Sequence, residues 1–287
     1  PNVPGGDLAS ADVRATSKCP DAVCHDRPMP RAALPSGIEI EYETFGDPDD
    51  PTLLLVCGYT SQLNGWDGGL CAAFVAQGLH VVRYDNRDVG LSTHLHDVRA
   101  PSVLDVVLRR TQPPYSMADM ADDAIGLMDA LGIPSAHVVG ASMGGFIAQT
   151  VALRHPSRLR SLTLMMTSTG ALTVGYPRPS LFARLLRRRV AADRTDVQAN
   201  ALETFRIIGS RGYAFDAEYL SELAGRSYDR AYDPGGYLRQ LAAIAAQPNR
   251  TAGLRRIAAP TLVIHGLHDP LVAPSGGLAA ARNLRSA

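Results

Sequence analysis

Residues 135–145 read SAHVVGASMGG, and the next eleven read FIAQTVALRHP. The apolar run through Val138 and Val139 has the character of a buried strand, and the segment after Ser142 has helical spacing up to Pro156. A strand that enters a helix with so little chain between them leaves no room for an ordinary turn. Gly140 and Gly144 remove the Cβ atoms that would collide across it, and Ser142 is forced into a strained backbone conformation. Its hydroxyl then stands clear at the carboxyl edge of the sheet, beside a helix amino terminus that favours negative charge. A tight turn with an incidental serine is the alternative. The G-x-S-x-G string is weak evidence, but the strand before it and the helix behind it favour a nucleophile.

Working outward, the same strand signature recurs. PTLLLVCG (51–58), LHVVRYDN (79–86), RSLTLMMT (160–167) and APTLVIHG (259–266) are short apolar runs, as strands covered on both faces should be. GIEIEYETFG (37–46) alternates instead, the period of a half-buried strand. SMADMADDAIGLMDALG (116–132) opens with Ser116 and Asp119 in capping-box spacing and closes on Gly132. Strands alternating with helices predict an α/β fold, a mostly parallel sheet with helices on both faces. Between about 171 and 256 the alternation stops, and SLFARLLRRRVAADR and DVQANALETFRIIGS have the pattern of amphipathic helices. The organisation expected is an arm or leader over 1–34, a core over 35–170, a helical cap over 171–256 and a second core segment over 257–287.

Composition narrows the function. The 287 residues carry 28 basic and 28 acidic side chains, so no global field favours nucleic acid or an anionic membrane. Lys18 is the only lysine, which reads as a GC-rich coding bias more than as arginine chemistry. No apolar run approaches the roughly 18 residues of a membrane span, and the amino terminus lacks a secretion-signal pattern, so a cytoplasmic location is expected. Cys57 and Cys71 fall in core elements and read as free buried thiols; Cys19 and Cys24 lie in the arm and could pair. No metal-ligand spacing, phosphate-binding loop or nicotinamide fingerprint is visible, so neither metal nor cofactor is expected.

A serine nucleophile needs donors for the oxyanion formed on attack. In a strand–turn–helix of this kind one donor is the amide after the serine, here Met143. The second comes from the loop after an earlier strand, where VCGYTSQ (56–62) offers the Tyr59 amide. A plain strand-ending turn is the alternative for that loop.

RYDNRDVGLST (83–93), MADDAIGLMDALG (120–132), HVVGASMGGFIAQ (137–149) and TLVIHGLHDPLV (261–272) together resemble the α/β-hydrolase superfamily from about Gly37 onward. More narrowly they resemble its serine esterase branch, that of aclacinomycin methylesterase and related bacterial lipases and esterases. Cys57 departs from the histidine common before the oxyanion-loop glycine. The resemblance implies Ser142 as nucleophile and Asp269 as the acid that orients the base; Asp269 could instead cap the turn begun by Asp-Pro. The Asp85, Arg87 and Asp88 group reads as a structural charge network.

The base is the gap. Chain order in such folds is serine, acid, histidine, and no histidine follows Asp269. His265 and His268 adjoin the acid, and His94 and His96 sit in the loop after RYDNRDVG, but none has the expected position. The resemblance therefore implies that the last strand, helix and catalytic histidine are missing. A chain so shortened is expected to be poorly active and poorly soluble, with an uncovered sheet edge.

The expected activity is hydrolysis of a small to medium apolar ester, with the cap tyrosines and Phe182, Phe205 and Phe215 suited to its pocket. Two other readings stay open: a cofactor-free haloperoxidase-like or carbon–carbon bond hydrolase, and a non-catalytic ligand-binding relative. The expected partner is a small-molecule ester substrate, with no nucleic acid and no integral membrane segment.

Overall fold

The apolar runs become strands within one to three residues of their predicted ends. The structure, a computed structural model, describes residues 30–285 apart from 109, 111, 179 and 182–189. Seven strands, β1 (Arg31–Ala33), β2 (Glu39–Phe45), β3 (Thr52–Val56), β4 (His80–Tyr84), β5 (Ala136–Ala141), β6 (Leu159–Met165) and β7 (Thr261–Ile264), form one sheet in the order β1-β2-β4-β3-β5-β6-β7. From β4 to β7 the pairing is parallel, while β1 and β2 join antiparallel. Central β3 is buried along its whole length, which is why TLLLV shows no alternation.

Four helices precede β6: α1 (Gly68–Val75), α2 (Val103–Val107), α3 (Met117–Ala130) and α4 (Met143–Arg154). Ser116 and Asp119 form the predicted capping box on α3, the Ser116 hydroxyl accepting from Ala118 and Asp119 and the Asp119 carboxylate from the Ser116 amide. Helix α4 is buried at every position from Met143 to Ala152, because the sheet covers one side and α3 packs against another. Between β6 and β7 lie α5 (Arg194–Ile208), α6 (Ala217–Arg230), α7 (Pro234–Ala246) and α8 (Thr251–Leu254), and after β7 comes α9 (Ser275–Asn283). Each of α5, α6 and α7 starts on an aspartate side-chain cap: Asp193, Asp216 and Asp233.

Two expectations need adjusting. Arg31–Ala33, placed in the arm, pair with β2 as an edge strand too short to show a period. The run 261–264 was expected to be covered on both faces, yet Leu262 is 56% and Ile264 45% exposed. Among the described residues β7 is last in the strand order, and its two apolar outward positions have no helix against them. The predicted helix in SLFARLLRRRVAADR lies largely outside the described residues, as do Cys19 and Cys24. Cys57 and Cys71 are free and buried. No helix among the described residues is long and apolar enough to cross a membrane.

The turn between β5 and α4 tolerates no side chain at its glycines. A Cβ on Gly144 would lie 2.7 Å from Cys57 O and closer still to Val56 O, and one on Gly140 would lie 2.5 Å from the Gly144 carbonyl carbon. These are main-chain atoms of β3, its exit and the first turn of α4, and they cannot move aside. Gly144→Ala is therefore expected to cost about 3 kcal/mol, read as a lowered urea midpoint with an unchanged slope, whereas Gly78→Ala, with open space around its Cβ position, costs only the strain of its positive φ.

Candidate active site

One residue, Ser142, separates β5 from α4, at φ 53° and ψ −114°. A left-handed serine costs on the order of 1–3 kcal/mol and persists only where its surroundings hold it. Here the backbone does so from both sides. Its N–H donates to Met165 O at 2.9 Å, and its carbonyl accepts from Gly145 N–H at 2.9 Å and the Thr167 hydroxyl at 2.8 Å. The Met143 amide is the first of α4, where no carbonyl of the helix lies a turn behind it to bond.

The loop after β3 runs beside the serine. A Cβ on Gly58 would sit 3.4 Å from Ser142 Cβ and 3.2 Å from Ala141 O. Tyr59 follows, and Thr60, also left-handed at φ 60°, donates its N–H to Gln240 Oε1 at 3.1 Å. Gln240, fully buried in α7, returns its amide to Arg87 O at 2.9 Å. Asn86 donates to Cys57 O, and the Cys57 thiol donates to Gln62 O. Burial drives the Cys57 thiol far above its ordinary range, so it stays a neutral donor. Burial likewise pushes the Tyr59 phenol up to about 12.

Asp269 follows β7 at the same carboxyl edge. Strands about 4.8 Å apart put β7, two places beyond β5, about 10 Å from it. Asp269 Oδ1 accepts from Leu271 N–H at 2.8 Å and Val272 N–H at 2.9 Å, the turn-capping role raised as its alternative, while Oδ2 is 3.7 Å from His265 Nε2. That nitrogen is bonded to Val272 O at 2.7 Å, and His265 Nδ1 lies buried against Gly277 of α9. His94 has one ring nitrogen on Gly90 O and the other on Asp233. His80, His137 and His155 pair with Thr52, Ser161 and Asp122. Among the described residues no histidine is hydrogen-bonded to Ser142.

The Asp85, Arg87 and Asp88 group is the seat of the segment between β6 and β7. Asp85, fully buried, accepts from Leu63 N–H, Leu91 N–H and Arg230 of α6. Arg239 of α7 grips Asp88 with two hydrogen bonds of 2.7 and 2.8 Å, and Arg87 grips Asp123 of α3 the same way. Gln62 adds bonds to the carbonyls of Ser227 and Ala231. Burial raises the Asp85 carboxyl to about 6, against the opposing pull of Arg230 and the two amides.

A cavity of about 410 Å³ opens elsewhere, walled by the 90–94 loop, His96, Asp233 and the Arg31–Glu39 pair. Ser142, Tyr59 and Asp269 do not line it. At its rim the donor atoms of His94, His96 and Asp233 lie within 4.8 Å of one another. His94 and Asp233 are 139 residues apart, so no sequence spacing could show this. The aromatic residues assigned to a pocket are also placed differently. Phe205 and Phe215 are exposed, Arg206 covers the Phe215 ring, and Phe182 lies outside the described residues.

Residues 51–286 match the family model described as alpha/beta hydrolase fold. The rhodomycin D methylesterase DauP of Streptomyces sp. (strain C5) is 31% identical over 256 residues, 81% of this chain and 80% of that protein. The 3-oxoadipate enol-lactonase 2 of Acinetobacter baylyi is 27% identical, covering 84% of this chain and 79% of its own length. Among solved structures, a hydrolase from Pseudomonas aeruginosa PA01 superimposes with a TM-score of 0.66 at 25% identity, over 91% of this chain and 88% of that one.

Arg230 offers a test of the charge seat. Arg230→Ala strands the Asp85 carboxylate without its counter-charge, at an expected cost of about 3–5 kcal/mol at pH 8. An aspartate raised in the folded state binds its proton more readily than the unfolded chain's does, so its burden falls as pH drops below the folded value. The stability gap between variant and wild type, read from urea midpoints, should therefore shrink between pH 8 and pH 5.

Proposed function

The chain belongs to the α/β-hydrolase family, and we propose that it hydrolyses a small to medium apolar carboxylic ester through Ser142. The observation that carries this reading is the Ser142 backbone, held at φ 53° between a buried strand and a buried helix with the Gly58 loop alongside. A strained, over-determined serine at a helix amino terminus is the arrangement acyl transfer requires. Ser142 Oγ attacks the ester carbonyl carbon, and its proton leaves to a base. The Met143 and Tyr59 amides hold the developing oxyanion, the alkoxide departs as the alcohol, and water releases the acid from the acyl-enzyme. Asp269 serves as the acid of this machinery. The segment between β6 and β7 acts as a cap, fixing the Tyr59 loop through Gln240. The methylesterase relative supports a small alcohol as leaving group.

A second reading, a ligand-binding relative without catalysis, is favoured by one observation: no described histidine is bonded to Ser142. The two readings part on labelling. A fluorophosphonate probe should label the wild-type chain and leave Ser142→Ala unlabelled. Hydrolysis of a p-nitrophenyl ester by these 287 residues should be slow, vanish in Ser142→Ala, and rise with added imidazole, which supplies the base. No labelling at any imidazole concentration would favour the binder.

A further inference from the structure

We propose that His94, His96 and Asp233 form a binding site for a divalent transition-metal ion, zinc by preference, joining the core to α7. His94 and His96 lie two residues apart in the loop after β4, with His96 in a turn, and their rings stack 5.3 Å apart at 8°. Asp233 reaches them from the amino-terminal cap of α7.

The hydrogen bonding prepares His94 for an ion. Gly90 O can only accept, so His94 Nε2 carries the proton in their 2.9 Å bond. A neutral ring then turns the Nδ1 lone pair toward Asp233 Oδ2 at 2.9 Å, two acceptors in contact. Such a pair needs positive charge between its members, either a proton or a metal ion. A backbone carbonyl on the far nitrogen is the usual support of a metal-bound histidine.

His96 supplies the third ligand atom: its Nδ1 is 3.9 Å from the same Oδ2, within reach of one ion shared by all three groups. Tetrahedral bonds of about 2.1 Å separate ligand atoms by about 3.4 Å. The observed 2.9 and 3.9 Å straddle that spacing, and the near-parallel rings must rotate out of their stack for both in-plane lone pairs to meet one ion. Arg239 Nη2 is 3.1 Å from Asp233 Oδ2, but Asp88 neutralises it, leaving Asp88, Arg239 and Asp233 with one net negative charge. Two imidazoles and a carboxylate suit zinc, cobalt or nickel over calcium or magnesium. The fourth position opens on the 410 Å³ cavity, where water or an anionic group completes the shell.

Zinc and cobalt titrations of the whole chain test this. The wild type should bind one ion more than His96→Ala, or bind it at least about tenfold more tightly. Its cobalt complex should show visible bands without thiolate charge transfer, which separates this site from Cys19 and Cys24. Asp233→Asn, which retains the helix cap, should weaken binding as well. Zinc should raise the Tm of the wild type and leave that of His96→Ala unmoved. The His96 side chain is 73% exposed, so the metal-free variant should match the wild type in circular dichroism and Tm. Equal stoichiometry and affinity in wild type and His96→Ala, or no binding by either, would overturn the proposal.

Discussion

The close approach of α4 to β3 governs the geometry of this protein. Gly144 lies so near the carbonyls of Val56 and Cys57, and Gly140 so near Gly144, that neither position can carry a Cβ. The helix can begin there only if the intervening residue takes a left-handed conformation, and Ser142 does. Its place is thus set by main-chain contacts rather than by any bond of its hydroxyl. Groups on β6 and just beyond it complete the hold, with Met165 O accepting the serine amide and the Thr167 hydroxyl donating to its carbonyl. Both neighbouring strands therefore share in fixing one side chain.

A second constraint is electrostatic. The loop after β4 carries three buried charges, and each meets one opposite partner: Asp85 with Arg230, Arg87 with Asp123, Asp88 with Arg239. Burying such pairs costs nearly as much desolvation as the attraction returns. Their effect here is on register, since a slip of α6 or α7 would leave a charge unmatched in the interior. The same helices hold the loop beside Ser142, through Gln240 on Thr60 and through the carbonyls that receive Gln62. Core, inserted helices and the Tyr59 loop are in this way one mechanical unit. Metal at His94, His96 and Asp233 would add a bond across that seam, beside the Arg239–Asp88 pair.

What the sequence by itself determined is local. Apolar runs place β3 to β7, and in β3 the run reflects burial on both faces; Ser116 and Asp119 announce the start of α3; and glycines around Ser142 announce the tight turn, since only glycine fits there. A three-residue edge strand has no period to read, so β1 escaped. The exposure of Leu262 and Ile264 depends on which neighbours stand beside β7, and composition carries no record of neighbours. Tertiary structure alone decided which groups meet. Arg230 reaches Asp85 from 145 residues away and Asp233 reaches His94 from 139. By contrast, the two amides on Asp269 Oδ1 come from residues two and three places on, a local turn that the Asp-Pro pair already suggests. The distant encounters are fixed by packing helices against a sheet, and chain distance has no bearing on them.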